Sequence, residues 1–316
     1  MMQRIILTVI CDMATYFDIV RAIILDRGTK KSKIDRLQKE CNCTAYEANT
    51  YYNSLMPELS LQRAANDLEG RIRFTIGVEI ECFNIDKDRV VEAIERRGLK
   101  AYSSGYNHVD SKVSYKLGHD GSIHGNNPCE VVSPILKNLD SLETVCEVIN
   151  EAGAQVNKSC GLHVHFGAKT FTAKQWQRII VNYAAIEHVI DSFMPVSRRA
   201  NNNRYCKSIA GEIEENVKSL VSGFSFRDIA NGCYHSDRYY KLNVQSYLNH
   251  KTVEFRQHSG TTDFVKIKNW VDFLTAFLKW SLSHKEYMTA NTIDELPFLT
   301  RKQKKYYKER KDALCV

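Results

Sequence analysis

Three short segments of the sequence place carboxylate, imidazole and guanidinium groups at every second position. These residues are Glu79 and Glu81 in "GVEIE", His163 and His165 in "GLHVHFG", and Glu254, Arg256 and His258 in "TVEFRQH". Side chains two positions apart on a β-strand lie on the same face, and the aliphatic residues between them lie on the other. Each segment therefore predicts a short strand with one polar and one apolar face.

Converging carboxylates and imidazoles are the chemistry of a divalent-cation site. Carboxylates brought together in a partly buried site need a compensating cation, which a bound metal supplies. Because carboxylates outnumber imidazoles, Mg²⁺ or Mn²⁺ held together with nucleotide phosphates fits better than tetrahedral zinc. Arg256, on the same face as Glu254, is suited to contact a transferring phosphoryl group. The chain has no G-x-x-x-x-G-K-[ST] sequence, so this chemistry is ATP-dependent phosphoryl transfer without a P-loop.

Each of these patterns, taken alone, has a simpler interpretation. A polar strand face usually points to water, and a single E-x-E or H-x-H occurs by chance in many sequences. Solvent-facing strand positions, however, favour Thr, Lys, Ser and Gln, whereas carboxylates and imidazoles dominate here. The recurrence on three short strands flanked by helices favours a functional site.

Three further segments contribute candidate residues. "GHDGSIHGNNPCEVVSP" holds Asp120 in a glycine-rich turn and Glu130 at the start of a strand. "RYYKLNVQS" holds Arg238, Lys241 and Asn243. The loop "SRRANNNRYC", residues 197–206, fits a substrate-binding segment or lid as well as it fits a polar surface loop.

Strands and helices alternate between residues 71 and 292, and these elements must position the candidate residues. "RFTIGVEIECF", "CEVVSPIL" and "GLHVHFG" have strand patterns, while "TAKQWQRIIVNYAAIEHVIDSFM" and "DFVKIKNWVDFLTAFLKWSL" are typical of long helices with a buried face. "YKLNVQSYL" and "KTVEFRQH" predict an antiparallel hairpin with a turn near Asn249. The predicted fold class is therefore α+β.

The two ends of the chain differ from this catalytic domain, which is predicted over residues 71–292. Residues 1–70 predict a small helical domain, with its first helix in "ATYFDIVRAIILDRG" and Thr44 as an N-cap before Glu47. A docking module is favoured over a helix-turn-helix DNA reader, because the basic residues do not gather on its last helix. Residues 293–316 predict a basic tail, in which 301–312 carry a net charge of +5 of the chain's +7. A solvated helix end is favoured over contact with nucleic acid or an acidic partner.

Composition places the chain among folded proteins of a reducing compartment. Its hydrophobic fraction of 43% is ample for a buried core. The N-terminus lacks the form of a signal peptide, and no stretch approaches the roughly 18 apolar residues that a membrane span needs. We therefore expect the ten cysteines to be free thiols, a cytoplasmic location and no membrane partner.

Four motifs, in this order along the chain, resemble those of a known family. They are "GVEIE", "DGSI" with "EVVSP", "CGLHVHFG" and "TVEFRQHSGTTD". Together they resemble the amidoligases of the glutamine synthetase-like carboxylate–amine ligase superfamily, over about residues 73–283. The resemblance implies an antiparallel sheet that forms a funnel, with helices on its outer face and ATP and metal ions inside.

The same resemblance implies a role for each candidate residue. The implied metal ligands, for Mg²⁺ or Mn²⁺, are Glu79, Glu81, Glu130, His163 and Glu254. The implied contacts to ATP or substrate are His165, near the phosphates, and Arg238, Lys241 and Asn243. The implied catalytic residues are Glu79, Glu254 and Arg256, with Arg256 on the transferred phosphate. His258 has no counterpart role.

The function implied is that of an ATP-dependent carbon–nitrogen ligase, an amidoligase. A substrate carboxylate would attack the γ-phosphate of ATP, and an amine would attack the resulting acyl phosphate to give an amide or peptide-like bond. The acid and the amine stay open, with a peptide or protein among the candidates. Two alternatives also stay open: a phosphotransferase of the same superfamily, and a non-catalytic nucleic-acid-binding or docking protein that uses the N-terminal helices and the basic tail.

Overall fold

The computed structural model describes residues 19–20, 22–24, 26, 28–105, 112–211, 213 and 237–314, without the side chains of 57–64, 66 and 67. The chain divides into two compact units, Met1–Ile72 and Arg73–Val316. The cysteines in the described residues are all unpaired. No described helix combines the length and the apolar character needed to cross a membrane.

The first unit is helical where it is described. Helix α1 spans Lys30–Cys41 and helix α2 spans Ala45–Arg71. Thr44 caps α2 in a capping box with Glu47, as predicted, which satisfies two backbone N–H groups at the helix start. The apolar core of the first unit includes Val20, Ile23, Ile24, Ile34, Leu37 and Ala48. Residues 1–18, which include the start of the first predicted helix, lie outside the described residues.

The second unit is built on a sheet that has seven strands in the described residues. They are β1 Ile76–Cys82, β2 Ala101–Ser103, β3 Tyr115–Gly118, β4 Cys129–Val132, β5 Gly161–Gly167, β6 Leu242–Asn243 and β7 Thr252–Ser259. Their order is β2-β3-β4-β1-β5-β7-β6, and every neighbouring pair is antiparallel except β2 and β3. The α+β class is confirmed. The sheet is open, and its closure into a funnel stays a prediction.

Helices cover the apolar face of this sheet. In the described residues of the second unit the α-helices are α3 Lys87–Arg96, α4 Asp140–Glu151, α5 Ala173–Asp191, α6 Ser246–His250, α7 Phe264–Ser283 and α8 Arg301–Ala313. Phe255 of β7 packs against Tyr183 of α5 and Phe277 of α7, with ring centroids 5.3 and 6.1 Å apart. Because α5 and α7 occupy this face, the polar side chains of the strands lie on the other.

The predicted hairpin is present as an antiparallel pair, but a helix joins its strands. In the β6–β7 register, Asn243 lies opposite Glu254. The connection consists of Val244, Gln245, α6 and Lys251, whose backbone is left-handed with φ 58°. As a result, Ser246 and His250 of α6 lie at the edge of the polar face and line the cavity described below.

A β-bulge in β7 overturns the predicted position of His258. Val164 lies opposite Phe255 and Leu162 opposite His258, so β5 advances two residues where β7 advances three. The extra residue reverses the alternation of side chains. The ring of His258 lies 5.5 Å from that of Trp270 on α7. The prediction that His258 shares a face with Glu254 was therefore wrong.

The basic C-terminal segment packs against the rest of the second unit, to which it belongs. Within the predicted tail 293–316, α8 places Tyr307 in a buried position, with its ring centroid 4.5 Å from that of Phe193 and 5.1 Å from that of Phe273. The Tyr307 hydroxyl donates a hydrogen bond to the Asn269 carbonyl over 2.7 Å. Arg310 Nε donates to the Phe193 carbonyl over 2.9 Å. Only one side of this basic helix is therefore free to meet solvent.

Candidate functional site

The polar face of the sheet forms a wall of a cavity of about 550 Å³. This volume is in the range of small-molecule sites, about 300–1,000 Å³. The predicted residues that line it are Glu79, Glu81, Glu130, His163, His165, Arg238, Asn243, Glu254 and Arg256. Lys241 is the one predicted site residue that does not. The sheet thus gathers residues that lie up to 177 positions apart, from Glu79 to Arg256.

Glu79 and the two histidines of β5 form the centre of the cavity. Glu79 lies opposite His163 in the β1–β5 register. Its Oε2 atom is 3.0 Å from His163 Nδ1, and its Oε1 atom is 3.2 Å from His165 Nε2. His163 is buried, whereas 23% of the Glu79 side chain is exposed. Glu79 therefore bridges both imidazoles and still reaches the open space.

Two further carboxylates lie beside this centre. Glu81 and Glu130 are directly opposite each other in the β1–β4 register. The Gly161 N–H donates to Glu81 Oε2 over 2.6 Å, and His163 Nε2 is 3.4 Å from Glu81 Oε1. Asp120, in the turn after β3, brings a ligand atom within 4.8 Å of one from each of these glutamates. This side of the cavity is rich in oxygen donors.

Glu254 connects the imidazoles to a guanidinium on the other side. Arg256 NH1 donates to Glu254 Oε1 over 2.5 Å, and Asn243 Nδ2 donates to Glu254 Oε2 over 2.6 Å. The same Oε1 atom is 3.8 Å from His163 Nδ1 and from His165 Nε2. Glu254 thereby fixes the direction of Arg256.

The carboxylates of the cluster differ in their proton affinity. Burial disfavours the charged form of Glu79, but the charge of His165 and the hydrogen bond from His163 prevail and hold its pKa well below the usual value. Glu254 behaves alike, since Arg256 and His165 outweigh burial and lower its pKa. Burial raises the pKa of Glu130 well above the usual value, and the charges of Glu79 and Glu81 add to this effect. The cluster therefore stabilises negative charge on Glu79 and Glu254 but disfavours it on Glu130.

His165 carries part of the compensating charge. Burial lowers its pKa, but the carboxylates of Glu254 and Glu79 outweigh burial and raise it to about 9. Its Nε2 atom is buried and has no hydrogen-bond partner, although Glu79 Oε1 is near. In its protonated form this nitrogen faces the Glu79 carboxylate, and in its neutral form the same nitrogen could ligate a divalent cation.

The donor set fits a divalent cation. Three groups of side chains each place their ligand atoms within 4.8 Å of one another: Glu79, Glu130 and His163; Glu79, His165 and Glu254; and Glu81, Asp120 and Glu130. Carboxylate oxygens prevail in all three, which suits Mg²⁺ or Mn²⁺. Glu79 and Glu130 each belong to two groups, so neighbouring cations would share ligands.

Lys241 lies behind the sheet. It is fully buried, and its Nζ atom is 2.8 Å from Glu187 Oε1 and 2.7 Å from Asp191 Oδ1, both on α5. A buried ammonium needs such partners because it has lost its hydration. Lys241 precedes β6, so the alternation that places Asn243 in the cavity does not apply to it. The structure thus separates Lys241 from the other predicted contacts.

The cavity wall also includes Lys116, Arg198, Tyr205 and Tyr239, to which the sequence analysis assigned no individual role. Lys116 is buried on β3, and the signal for it is a lysine inside the apolar strand "YKLG". Arg198 and Tyr205 belong to the loop 197–206, for which the sequence left two interpretations open. Tyr239 lies 5.2 Å from Tyr205, edge to face. No periodicity predicts which loop side chains turn inward.

An α+β sheet with helices on one face and a carboxylate–imidazole cluster on the other defines an enzyme-like, metal-fitting site. The family model described as "Putative amidoligase enzyme" matches residues 73–278, about two thirds of the chain. The chain belongs to this amidoligase family, as its four motifs predicted, and is therefore an enzyme of the ligase type. No curated protein matches the chain at a significant level.

Proposed function

We propose that the protein is an ATP-dependent carboxylate–amine ligase that works through an acyl phosphate. The observation that carries this proposal is the convergence of three overlapping metal-fitting groups and Arg256 on one face of the sheet. A ligase that activates a carboxylate must hold several anionic groups together, and cations bound by these groups would do so together with the Arg256 guanidinium.

The residues have distinct roles in this proposal. Bound Mg²⁺ or Mn²⁺ would offset the charge of the phosphate oxygens. The residues that would hold these cations are Glu79, Glu81, Glu130, His163 and Glu254. Arg256, oriented by Glu254, donates hydrogen bonds to the transferred phosphoryl group. His165, Asn243 and Arg238 contact the nucleotide, whereas Lys241 only supports the sheet from behind.

The reaction then has two steps. A carboxylate oxygen of the acid attacks the γ-phosphorus, the bond to the bridging oxygen breaks, and ADP leaves. The amine attacks the carbonyl carbon of the acyl phosphate, phosphate leaves and the nitrogen loses a proton. His163 and Glu254, both under 5% exposed, lie deep in the cavity, where the acyl phosphate is protected from water. The acid and the amine are small molecules, peptides or protein side chains.

Hydroxylamine trapping tests the acyl phosphate directly. Purified protein is incubated with Mg²⁺, ATP, hydroxylamine and a panel of amino acids, dicarboxylic acids and short peptides. We expect hydroxamate and phosphate in equal amounts with at least one acid. With an ¹⁸O-labelled carboxylate, one ¹⁸O atom must appear in the phosphate. Phosphate without ¹⁸O would contradict the mechanism.

The same assay separates the alternatives. A phosphotransferase would release ADP with a stable phosphorylated product, and mass spectrometry would find no amide. A docking or nucleic-acid-binding protein would bind no nucleotide here. A ligase should instead gain about 2.7 kcal/mol of stability at Mg²⁺–ATP concentrations about 100 times Kd, which a thermal-shift titration detects. No shift at saturation would rule out the ligase.

A further inference from the structure

Arg198 is a buried cation of the cavity that lacks a counter-ion among the described residues. It ends the 3₁₀ turn Val196–Arg198 and is 3% exposed. Its Nη2 atom donates to the Cys160 carbonyl over 2.5 Å, but Nε is buried without a hydrogen-bond partner. No described carboxylate forms an ion pair with it. Part of its hydrogen-bonding capacity is therefore unused.

The Arg198 guanidinium lies next to the metal-fitting cluster. A Cβ atom built on Gly161 would lie 2.8 Å from His163 Nε2 and 3.2 Å from Arg198 NH2. Both side chains thus lie close to Gly161, where a residue with a side chain would clash with them. Both line the same cavity, so Arg198 brings positive charge to the space beside His163.

Arg256 has a carboxylate partner within the protein, whereas Arg198 has none among the described residues. Arg256 has Glu254 at 2.5 Å, so its charge is compensated before any ligand binds. Among the described residues, Arg198 contacts the Cys160 carbonyl and the Cys206 thiol, neither of which is an anion. A buried guanidinium without an anion is costly because its hydration is lost. A residue in this state is expected where a ligand supplies the anion.

We propose that Arg198 binds the carboxylate of the acid substrate. This inference rests on the proposed ligase function. Metal ions and Arg256 would offset the negative charge of the phosphates. The carboxylate of the acid is a further anion, and it must approach the same phosphoryl group. The planar fork of a guanidinium matches the two oxygens of a carboxylate. Arg198 thus selects the carboxylate and reduces its repulsion from the phosphates.

Three variants test this role: Arg198→Met, Arg198→Lys and, as a matched control, Arg199→Met. Arg199 is the neighbouring arginine and does not line the cavity. Thermal shift is measured first with Mg²⁺ and the ATP analogue AMPPNP, then with a panel of amino acids, dicarboxylic acids and short peptides, with and without the nucleotide. The acid titration therefore does not depend on turnover.

We expect at least one acid to stabilise the wild type and Arg199→Met, with an affinity at least about 30-fold lower in Arg198→Met. Arg198→Lys should be intermediate because it keeps the charge but loses the fork. The AMPPNP shift should be the same in all four proteins. Without ligands, Arg198→Met should be as stable as the wild type or more so, since an uncompensated charge is removed.

Other results would overturn the inference. Equal acid affinity in Arg198→Met and the wild type, or no acid of the panel that stabilises the wild type, would show that Arg198 does not bind the carboxylate. Loss of the AMPPNP shift in Arg198→Met alone would make it a phosphate ligand. A large drop in unliganded stability would make it structural. A wild type that AMPPNP fails to stabilise would instead reject the proposed function, and the acid titration without nucleotide would still decide on Arg198.

Discussion

At the scale of single residues, Glu79 has the most connections in the cluster. It contacts both histidines of β5 and belongs to two of the three metal-fitting groups. Glu79→Gln keeps the size of the side chain but removes the charge. We expect Mn²⁺ to bind at least about 100-fold more weakly and ATP turnover to be lost, while the fold stays intact. Titration of Mn²⁺ followed by electron paramagnetic resonance measures the first effect.

Glu147→Gln is the matched control for Glu79→Gln. Glu147 lies on α4, is exposed and pairs with Arg97 at the surface. It should leave Mn²⁺ binding and turnover unchanged. Near-normal phosphate release by Glu79→Gln would make the assignment of the site wrong.

Substitution of Arg256 should reduce turnover without weakening Mn²⁺ binding. Its guanidinium is a donor on the cavity wall and not a metal ligand, so Arg256→Ala should keep Mn²⁺ binding. Turnover should fall by at least about 100-fold, the usual result of losing one donor to a transferred group. Arg204→Ala is the control, because Arg204 is exposed and contacts only Tyr205 among the described residues. Loss of Mn²⁺ binding together with turnover would assign Arg256 a structural role.

At the scale of elements, strand alternation explains most of what the sequence predicted. Glu79, Glu81, His163 and His165 lie in regular parts of β1 and β5, where a period of two is sufficient to assign their face. His258 follows a bulge, and no residue type in "EFRQHSG" marks the extra residue. Arg198 lies in a loop, where side-chain direction depends on tertiary packing. Local pattern therefore predicts the centre of the cavity but not its loop-built wall.

The bulge places His258 in an apolar layer, which makes it sensitive to acid. Burial first, and then the charge of Arg310, lower its pKa to about 3. Below pH 6.5 the unfolded chain binds a proton at this histidine, whereas the folded protein does not. The free energy of unfolding therefore decreases as the pH is lowered. Compared with His258→Gln, the wild type should lose roughly 2–3 kcal/mol more between pH 7 and 4.5. Urea unfolding over this range measures the difference.

The exposed residue His124 provides the control for this pH dependence. His124→Gln removes an exposed histidine and should leave the measured difference between pH 7 and 4.5 as it is in the wild type. Parallel curves for His258→Gln and the wild type would show that His258 is not buried in its neutral form.

A buried polar network holds β6 and β7 against α5. Gln257 accepts a hydrogen bond from Tyr183 and donates one to Asp191, which also pairs with Lys241. Lys241→Met leaves the buried Glu187 and the partly buried Asp191 without their cation, which should cost about 3–5 kcal/mol. Affinity for AMPPNP should not change, because Lys241 does not line the cavity. Thermal unfolding and nucleotide titration of the same variant separate the two effects.

Lys207→Met is the comparison for Lys241→Met. Lys207 pairs with Asp237 at 2.6 Å, but both side chains are about a third exposed, so the loss should stay below about 1 kcal/mol. Weaker nucleotide binding in Lys241→Met would support the predicted contact between Lys241 and the nucleotide.

At the scale of the whole molecule, the three tryptophans report on the second unit alone. Trp176, Trp270 and Trp280 all lie within Arg73–Val316. Their fluorescence therefore follows the unfolding of this unit whatever happens to Met1–Ile72, and it can show whether the basic C-terminal helix α8 stabilises the unit or only carries charge.

Substitutions of Tyr307 test whether α8 stabilises the second unit or only carries charge. Its ring is buried against Phe193 and Phe273, and its hydroxyl binds a backbone carbonyl. Tyr307→Ala should lower the free energy of unfolding by about 3–5 kcal/mol because it leaves a cavity, and Tyr307→Phe by about 1 kcal/mol because it loses only the hydrogen bond. Lys305→Gln, on the exposed side, should change it by less than about 0.5 kcal/mol. If α8 were a solvated tail, tryptophan fluorescence in urea would show all three variants unfolding with the wild type.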